Sequence, residues 1–345
     1  MKINYGLMIL ASASTIALSA PAYAQDATED DYAADDSYAD TGMYQPIIVE
    51  ARRRSESVQD VPAVIDTVTA EEFAQLNIRQ FNDVQQLVPG LQLANESNGI
   101  GGNAQIRGVE FNVNVSGNNP TIEFYQNDAP IQASVVLQQT YDIGQVEVLR
   151  GPQGTLRGRA SPSGSITVTT KKPDLYEWGG YVSGTGTDIG GMNFQGGVGG
   201  PIVEGVLGIR VAGVYEENEG NRVRPLIADV DSRDPLVRSR SGRISLGFQP
   251  VDWLKMEAVY QHIDTDQRTY DQYQTFPGDE ALVGGSPELP DIDLEDRRSI
   301  VDQPRDVSSI YDIYNWRAEA ELGGQRLIYQ GNLYEQDLNS VGNLD

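Results

Sequence analysis

The sequence predicts an α+β domain followed by antiparallel strands of a transmembrane β-barrel, and three observations lead to this fold class. The first 24 residues have the pattern of an export signal. Helical and short-strand patterns alternate between residues 55 and 175. From residue 176 to residue 345, long segments alternate apolar with polar side chains, and their connections are short at one end and long at the other. An exported protein with such strands fits the outer membrane of a Gram-negative bacterium.

The composition excludes several classes of protein. The 345 residues include no cysteine, which excludes a thiolate nucleophile and a Cys-based zinc site, and one histidine, His262, which excludes most His-dependent catalysis and most transition-metal sites. A formal charge of −25 disfavours binding to nucleic acid, whose phosphates attract lysine and arginine. Because 39% of the residues are hydrophobic, at least one buried core is expected. We therefore expect a folded protein that is not an enzyme and needs neither a cofactor nor a metal.

The N-terminal segment, residues 1–24, predicts a cleaved signal peptide. Lys2 supplies a positive start, the stretch from Leu7 to Leu18 is apolar or small, and Ala22-Tyr23-Ala24 fits a cleavage site. The alternative is a membrane anchor, but this run is shorter than the roughly 20 residues that a spanning helix needs. Since the sequence has no other long apolar run, any membrane crossing must use strands.

Two short regions precede the predicted domain. Residues 25–45 are acidic and lack basic side chains, which predicts a flexible linker. In residues 46–54, the run Ile47-Ile48-Val49-Glu50-Ala51 follows Pro46 and favours an extended backbone. Such a segment can add a strand to the sheet edge of a partner, or it can be the buried first strand of the domain. The local sequence alone favours the second interpretation.

Residues 55–175 predict a small α+β domain. Thr69 and Glu72 have capping-box spacing and predict the start of a helix. Phe81, Val84, Leu87 and Val88 lie on one face of a second predicted helix, which ends at Pro89-Gly90. Short strands are expected at 91–94, 105–107, 122–125, 146–149 and 166–169, separated by Asn- and Gly-rich loops at 95–103 and 112–119.

Residues 176–345 predict long amphipathic strands. One hairpin turns at residues 250–252 and a second at Gly323-Gly324, and each has one apolar face and one polar face. The Gly-rich stretch from Gly196 to Gly200 is expected to be a turn. About seven strands are expected, whereas bacterial single-chain barrels use even numbers, so we expect the barrel to be incomplete in this chain.

Motifs along residues 47–173 resemble the plug domain of TonB-dependent outer-membrane receptors. The resemblance rests on segments that occur in the same order as in that family, namely IIVEA (47–51, the TonB box), QDVP (59–62), FNDVQQLVPGLQL (81–93), IRG (106–108), PTIEFYQNDAPI (120–131), VEVLRGPQGTLRGR (146–159) and SGSITVTTKKP (163–173). The sequence departs from the family pattern at Arg157 and at residues 160–163. These departures concern how the last plug loop packs against the barrel.

The resemblance implies a plug inside the lumen of a barrel of roughly 22 strands. It also implies uptake of a bulky, scarce nutrient, a ferric siderophore first of all, with outer-membrane lipid around the barrel and the periplasmic protein TonB as the energy-coupling partner. Uptake of an oligosaccharide or of cobalamin, and a plug-like binding or signalling receptor that does not transport, are the alternatives.

The resemblance also implies roles for particular residues. The TonB box would comprise Ile47, Ile48, Val49, Glu50 and Ala51. Plug arginines that pair with barrel carboxylates in the family correspond to Arg107, Arg150 and Arg159. Loop residues that would face the ligand are Asn95, Asn98, Asn103, Asn112, Asn114 and Asn118.

Overall fold

The computed structural model describes residues 47–49, 56–76, 78, 81–95, 102–111, 121–138, 140–152, 154, 161–188, 190–226, 233–274, 292–301 and 303–342. The predicted signal peptide and acidic linker lie outside these ranges. The same is true of the following predicted site residues: Glu50, Ala51, Asn98, Asn112, Asn114, Asn118 and Arg159.

The described residues up to 170 form short strands and short helices, and we call this part the plug domain. Its elements are β1 (Ile48–Val49), β2 (Glu56–Ser57), a 3-10 helix (Val58–Asp60), β3 (Val64–Thr69), α1 (Ala70–Gln75), a 3-10 helix (Phe81–Gln86), β4 (Leu91–Asn95), β5 (Gly102–Ile106), β6 (Val109–Phe111), β7 (Ile122–Gln126), β8 (Ala129–Ile131), α2 (Ala133–Gln138), β9 (Ile143–Arg150) and β10 (Gly164–Thr170). The central sheet has the strand order β3-β9-β10-β7-β8, and β7 and β10 are its parallel pair. Strands β4, β5 and β6 form a second sheet. The predicted α+β class is confirmed.

Helix α1 starts where the capping box predicts. The backbone N–H of Glu72 donates to Thr69 Oγ1 at 3.3 Å, and the N–H of Thr69 donates to Glu72 Oε2 at 2.8 Å. Each side chain therefore satisfies an N–H group that the first turn of a helix leaves without a partner.

The second predicted helix is a 3-10 helix, Phe81–Gln86, rather than an α-helix. Its period of three residues places Phe81 and Val84 on the buried side. Leu87, which was predicted on the same face, is exposed instead. The chain then reverses at Gly90, whose φ of +79° is a conformation that glycine adopts without strain.

One apolar cluster fills the plug domain between its sheets and helices. Its members are Val68, Ile78, Phe81, Val84, Val88, Leu91, Leu93, Ala104, Ile106, Ile122, Phe124, Val136, Ile143, Val146, Val148, Ile166 and Val168. Alternate residues of β9 and β10 contribute to it, so one face of the central sheet lies on this core.

Residues 179–341 contain a second, much longer sheet, which we call the wall sheet. The strands and short elements of this region are β11 (Gly179–Gly186), β12 (Met192–Val203), β13 (Leu207–Asn218), β14 (Arg224–Pro225), β15 (Leu236–Val251), β16 (Leu254–Thr269), a 3-10 helix (Leu294–Asp296), β17 (Arg298–Ser299), β18 (Arg305–Leu322) and β19 (Gln325–Val341). The wall sheet has seven antiparallel strands in the order β11-β12-β13-β15-β16-β18-β19. Both predicted hairpins are confirmed, as β15–β16 and β18–β19.

The two ends of the wall sheet differ. Turns of two or three residues join its strands at one end, at 204–206, 252–253 and 323–324. At the other end the connections span 187–191, 219–235 and 270–304, and the two longer ones include the small parallel pair of β14 and β17. The link from the plug domain, residues 171–178, enters at the end with the short turns. This asymmetry agrees with the predicted one.

The two faces of the wall sheet also differ. One face carries apolar rows, such as the cross-strand row Val211, Ile244, Tyr260, Tyr314 and Leu333. The opposite face carries polar residues and arginines and packs against the plug domain. Among the described residues, no helix is long and apolar enough to cross a membrane.

The Gly-rich stretch from Gly196 to Gly200 lies inside β12, so the prediction of a turn was wrong. Side chains from neighbouring segments occupy the space beside these glycines. A Cβ on Gly200 would lie 2.4 Å from the ring of Trp178, and one on Gly199 would lie 2.8 Å from Cβ of Arg210. Glycine is therefore needed here for close packing within a strand rather than for a bend.

Candidate functional site

The candidate site is the interface between the plug domain and the inner face of the wall sheet. Both belong to one structural unit, Pro46–Asp345. Two buried aspartates of the plug domain, Asp142 and Asp128, each form an ion pair with at least one arginine of the wall sheet. We call these contacts the Asp142 cluster and the Asp128 cluster.

In the Asp142 cluster, the carboxylate of Asp142 receives a two-pronged contact from Arg210 of β13. Arg210 Nε donates to Oδ2 at 2.8 Å and Arg210 Nη2 to Oδ1 at 2.5 Å. Arg243 of β15 adds a contact from Nη2 to Oδ2 at 3.4 Å. The Asp142 side chain is only 1% exposed, so this is a buried and multiply bonded ion pair.

The backbone of Asp142 is held by the wall as well. Its N–H donates to the hydroxyl of Tyr181 on β11 at 3.0 Å, and its carbonyl accepts from Arg243 Nη2 at 3.0 Å. Asp142 has a φ of +52°, a left-handed conformation that aspartate tolerates better than most residues. The cluster therefore fixes both the main chain and the side chain at the start of β9.

Tyr141 extends this cluster toward β15. Its hydroxyl lies 2.8 Å from Ser241 Oγ, and the guanidinium of Arg243 lies 4.6 Å from the centre of its ring. Burial raises the pKa of Tyr141, although the positive charge of Arg243 opposes this shift. The tyrosine is therefore neutral at physiological pH. Its hydroxyl is hydrogen-bonded to Ser241, and the face of its ring contacts the guanidinium of Arg243.

The Asp128 cluster lies at the β7–β8 turn. Arg317 Nη1 of β18 donates to Asp128 Oδ2 at 2.8 Å, and the two side chains are 10% and 3% exposed. Gln330 of β19 donates to the carbonyl of Asp128 at 2.7 Å, and Asn332 donates to the carbonyl of Pro130 at 2.8 Å. The turn is thus held through its carboxylate and its backbone.

A glutamine pair lies between the two clusters. Gln126 Nε2 on β7 donates to Gln261 Oε1 on β16 at 2.8 Å, and both residues are buried. The plug domain is therefore attached along β7, β8 and the start of β9 by directional polar contacts. Such contacts hold the plug domain in a defined position against the wall sheet.

In the Asp142 and Asp128 clusters the plug supplies the acids and the wall supplies the arginines, which is the reverse of the predicted arrangement. Lys172, just after the plug domain, has the predicted polarity and donates to Glu257 of β16 at 2.8 Å. Arg150 forms an ion pair with Asp66 inside the plug domain. Arg107 lies in the β5–β6 turn, exposed, with a φ of +52°. The roles of Arg107 and Arg150 toward barrel carboxylates stay predictions.

The described part of the predicted TonB box is folded back on the plug domain. Ile48 pairs with Ser57 and Val49 with Glu56, while Gln145 Nε2 donates to the carbonyl of Ile48 at 3.1 Å. Val49 is fully buried in a small apolar cluster with Val61 and Leu149. In this structure residues 48 and 49 form a first strand of the domain, as the local sequence alone favours.

Of the asparagines predicted to face a ligand, Asn95 and Asn103 lie at the facing ends of β4 and β5. A ligand-binding role for this end of the hairpin stays a prediction. Within the described ranges, no group of three or more His, Asp or Glu residues could hold a metal ion.

Sequence reasoning did not find Asp142 and Asp128. The alternation along the two hairpins predicts a polar face, which carries Arg243 and Arg317, but it could not show that the plug covers that face. A usable signal was present at the second aspartate, because Asn127-Asp128 between two apolar strands is typical of a tight turn with positive φ, observed here at +50° and +65°.

A folded domain held by ion pairs on the polar face of a long antiparallel sheet, whose opposite face is apolar, is the arrangement of a plugged barrel. Residues 57–165 match the family model of the TonB-dependent receptor plug domain. Residues 57–165 are therefore similar to the plug domain of TonB-dependent receptors, and a long antiparallel sheet follows them.

Individual relatives agree with this family. The chain is 27% identical over 199 residues to the pesticin receptor of Yersinia pestis, covering 58% of this chain and 28% of that protein. It is 26% identical over 253 residues to the iron-regulated outer membrane virulence protein of Vibrio cholerae, covering 70% of this chain and 35% of that protein. The chain thus spans about a third of the length of these relatives.

Solved structures show the same fold. The ferric yersiniabactin uptake receptor of Yersinia pestis superposes with a TM-score of 0.67 at 20% identity, over 81% of this chain and 41% of that one. The ferripyoverdine receptor of Pseudomonas aeruginosa gives a TM-score of 0.54 at 17% identity, over 86% and 41%. Both of these solved structures are of receptors.

Proposed function

We propose that the chain is part of a TonB-dependent outer-membrane receptor that takes up a bulky, scarce nutrient, with a ferric siderophore as the first candidate. The observation that carries this proposal is the seating of the plug domain on the polar face of the wall sheet through the Asp142 and Asp128 clusters. A plug held by polar contacts closes a lumen and can still be moved. The names of the relatives, which concern ferric yersiniabactin and ferripyoverdine, support the choice of substrate class.

The dimensions of the wall sheet support a position in the outer membrane. Its last four strands have 16 to 18 residues, more than the roughly 9–11 that a tilted strand needs to cross a bilayer. The outward row that contains Ile244 and Tyr314 is apolar, whereas the row with His262 and Asp312, two residues further along the strands, is polar. We place the apolar rows against lipid and the long connections outside the cell.

We propose that residues 47–51 are the coupling segment for TonB. The described strand of this segment, β1, is paired with β2 and would have to be released before it could bind TonB. Val49 is buried and β1 pairs with β2 over only two residues, so release requires few contacts to break. Once free, the β-branched segment could add a strand to the sheet edge of TonB, because strand addition depends mainly on backbone hydrogen bonds. A cleaved leader at 1–24, an acidic linker at 25–45 and ligand-facing asparagine loops complete the proposal.

Uptake by the full-length receptor tests the proposed function. Cells that express it would be supplied with a panel of ferric siderophores, with cobalamin and with oligosaccharides, with and without TonB. We expect TonB-dependent accumulation of iron from at least one siderophore. Accumulation of cobalamin or an oligosaccharide alone would replace the substrate class, and uptake that persists without TonB would overturn the mechanism.

Co-precipitation with TonB tests the coupling segment separately. Ile48→Pro removes a backbone N–H from the strand and should abolish capture of the receptor by TonB. Ile202→Pro, in the exposed end of β12, is the matched control and should leave capture unchanged. Equal capture of Ile48→Pro and the parent would refute the assignment of residues 47–51.

A further inference from the structure

Two cavities lie along the boundary between the plug domain and the first two strands of the wall. The larger, about 530 Å³, is lined by Gly144, Thr169 and Lys172 on the plug side and by Gly179 and Gly199 on the wall. The smaller, about 290 Å³, is lined by Phe73, Thr140 and Tyr141 on the plug side and by Ser183 and Gln195 on the wall. Lys171 borders both cavities.

The strand register shows that these cavities are in line. In the β11–β12 pair, Ser183 lies opposite Gln195, Tyr181 opposite Gly197, and Gly179 opposite Gly199. The first pair lines the smaller cavity and the third lines the larger one, which lies toward the short-turn end. The Tyr181–Gly197 pair is therefore the row that separates them.

The Asp142 cluster fills the space between the two cavities, beside the Tyr181–Gly197 pair. Asp142 reaches the wall beside Gly197, where its carboxylate is bonded to Arg210 and its N–H to the Tyr181 hydroxyl. Lys171 lies 5.2 Å from the centre of the Tyr181 ring. A Cβ on Gly197 would lie 2.8 Å from Asp142 Oδ1 and 3.0 Å from Arg210 Nη2, so the ion pair fills the space that a side chain would take.

We propose that this seam is the translocation path through the receptor and that the Asp142 cluster is its latch. When Asp142 leaves Arg210, the two cavities join into one passage between the plug domain and strands β11 and β12. The wall of the passage is glycine-rich and therefore has few apolar side chains to pack against the plug domain. The latch is a polar contact instead, and water can replace its hydrogen bonds as it opens. The proposal rests on the proposed function, because it requires that the receptor transports.

Conductance of the purified full-length receptor in planar lipid bilayers tests the latch. Asp142→Asn keeps the shape of the side chain and the left-handed backbone but removes the charge that holds Arg210. We expect its open probability to rise by roughly tenfold or more over the parent, the effect of weakening a charge-assisted hydrogen-bonded pair. Asp312→Asn is the same change on the outer face of the wall, away from the plug domain, where Asp312 pairs with His262, and this variant should stay closed like the parent.

Two further variants locate the path and guard against misfolding. Gly197→Ala inserts a methyl group between Asp142 and Arg210 without changing any charge, and it should also conduct. In the Asp142→Asn background, Thr169→Cys places a thiol in the larger cavity, and a charged thiol reagent should block the current. Residues 1–345 contain no cysteine, and Asp142→Asn without Thr169→Cys is the control for thiols elsewhere in the full-length receptor.

The outcomes of these experiments distinguish the translocation path, the latch and the proposed function. A current in Asp142→Asn that the reagent blocks supports the seam, whereas a current that the reagent leaves unchanged places the path elsewhere and overturns it. If Asp142→Asn and Gly197→Ala both stay closed while the parent takes up substrate in a TonB-dependent way, the latch is wrong and the proposed function stands. If the parent shows no TonB-dependent uptake, the proposed function itself fails.

Discussion

Loss of the cation in the Asp128 cluster is expected to loosen the plug domain strongly. Arg317→Met keeps the length of the aliphatic stem but removes the guanidinium from a carboxylate that is only 3% exposed. Removing one partner of a buried ion pair costs about 3–5 kcal/mol. We expect about 3 kcal/mol, the lower end, because Gln330 and Asn332 still hold the backbone of the turn.

The reciprocal change should cost less. Asp128→Asn keeps a hydrogen-bond acceptor at the same place, and Arg317 still has Glu319 at 3.2 Å to balance its charge. We expect a loss of about 1.5 kcal/mol, the value of one hydrogen bond to a charged group. Because Asp128→Asn removes the buried charge, the double variant should be little less stable than Asp128→Asn alone.

A double-mutant cycle on the purified full-length receptor measures this coupling. A fluorophore on an introduced thiol at the exposed position Glu71 would report unfolding of the plug in denaturant. Losses of about 3 and 1.5 kcal/mol for the single variants and little more than about 1.5 kcal/mol for the double variant correspond to a coupling energy of about 2.5 kcal/mol. Losses that add to within about 0.5 kcal/mol would refute the view that the pair acts as one buried unit.

Three further changes in the plug domain have defined outcomes. Gly164→Ala should cost more than about 3 kcal/mol in the same denaturation assay, because φ at Gly164 is +147° and the new Cβ would lie 2.2 Å from the carbonyl oxygen of Leu149; a change below about 1 kcal/mol would contradict this. Thr69→Ala should cost about 1 kcal/mol through loss of the α1 capping box, whereas Thr69→Ser should restore it. Tyr141 has its pKa raised by burial, so its contribution to stability is full below the ordinary tyrosine pKa of about 10 and is lost as pH rises beyond it. Tyr141→Phe should therefore flatten the alkaline loss of stability, and an unchanged pH profile would show that other groups cause that loss.

Much of the fold could be predicted because its signals are local or periodic. The capping box of Thr69 and the alternation along β15, β16, β18 and β19 each depend on residues close in sequence. The β12 glycines were misjudged because the contacts that require glycine there come from other segments of the chain. Gly199 and Gly200 are needed because Arg210 and Trp178 lie against them, and such neighbours are a property of the folded wall.

Of the interface between the plug domain and the wall sheet, only the wall side could be predicted from the sequence. Alternation along the two hairpins placed Arg243 and Arg317 on the polar face of the strands. The plug partners of the wall arginines could not be found, because Asp142 and Arg210 are separated by 68 residues and Asp128 and Arg317 by 189. The family resemblance directed attention to plug arginines, while the Asp142 and Asp128 clusters use plug aspartates.

The position of β3 at the edge of the plug sheet has a mechanical consequence. Tension that enters through residue 47 first meets the β1–β2 hairpin, whose two residue pairs are pulled at adjacent ends, Ile48 and Ser57, and so separate one after the other. Beyond it, tension pulls β3 at Val64 while the wall holds β9 at Asp142, the opposite end of an antiparallel pair. The six residue pairs between these strands are then loaded in shear and must give way together. Under tension, the β1–β2 pair should therefore separate at low force and the β3–β9 pair only at high force. The Asp142 cluster makes β9 the strand that bears the load.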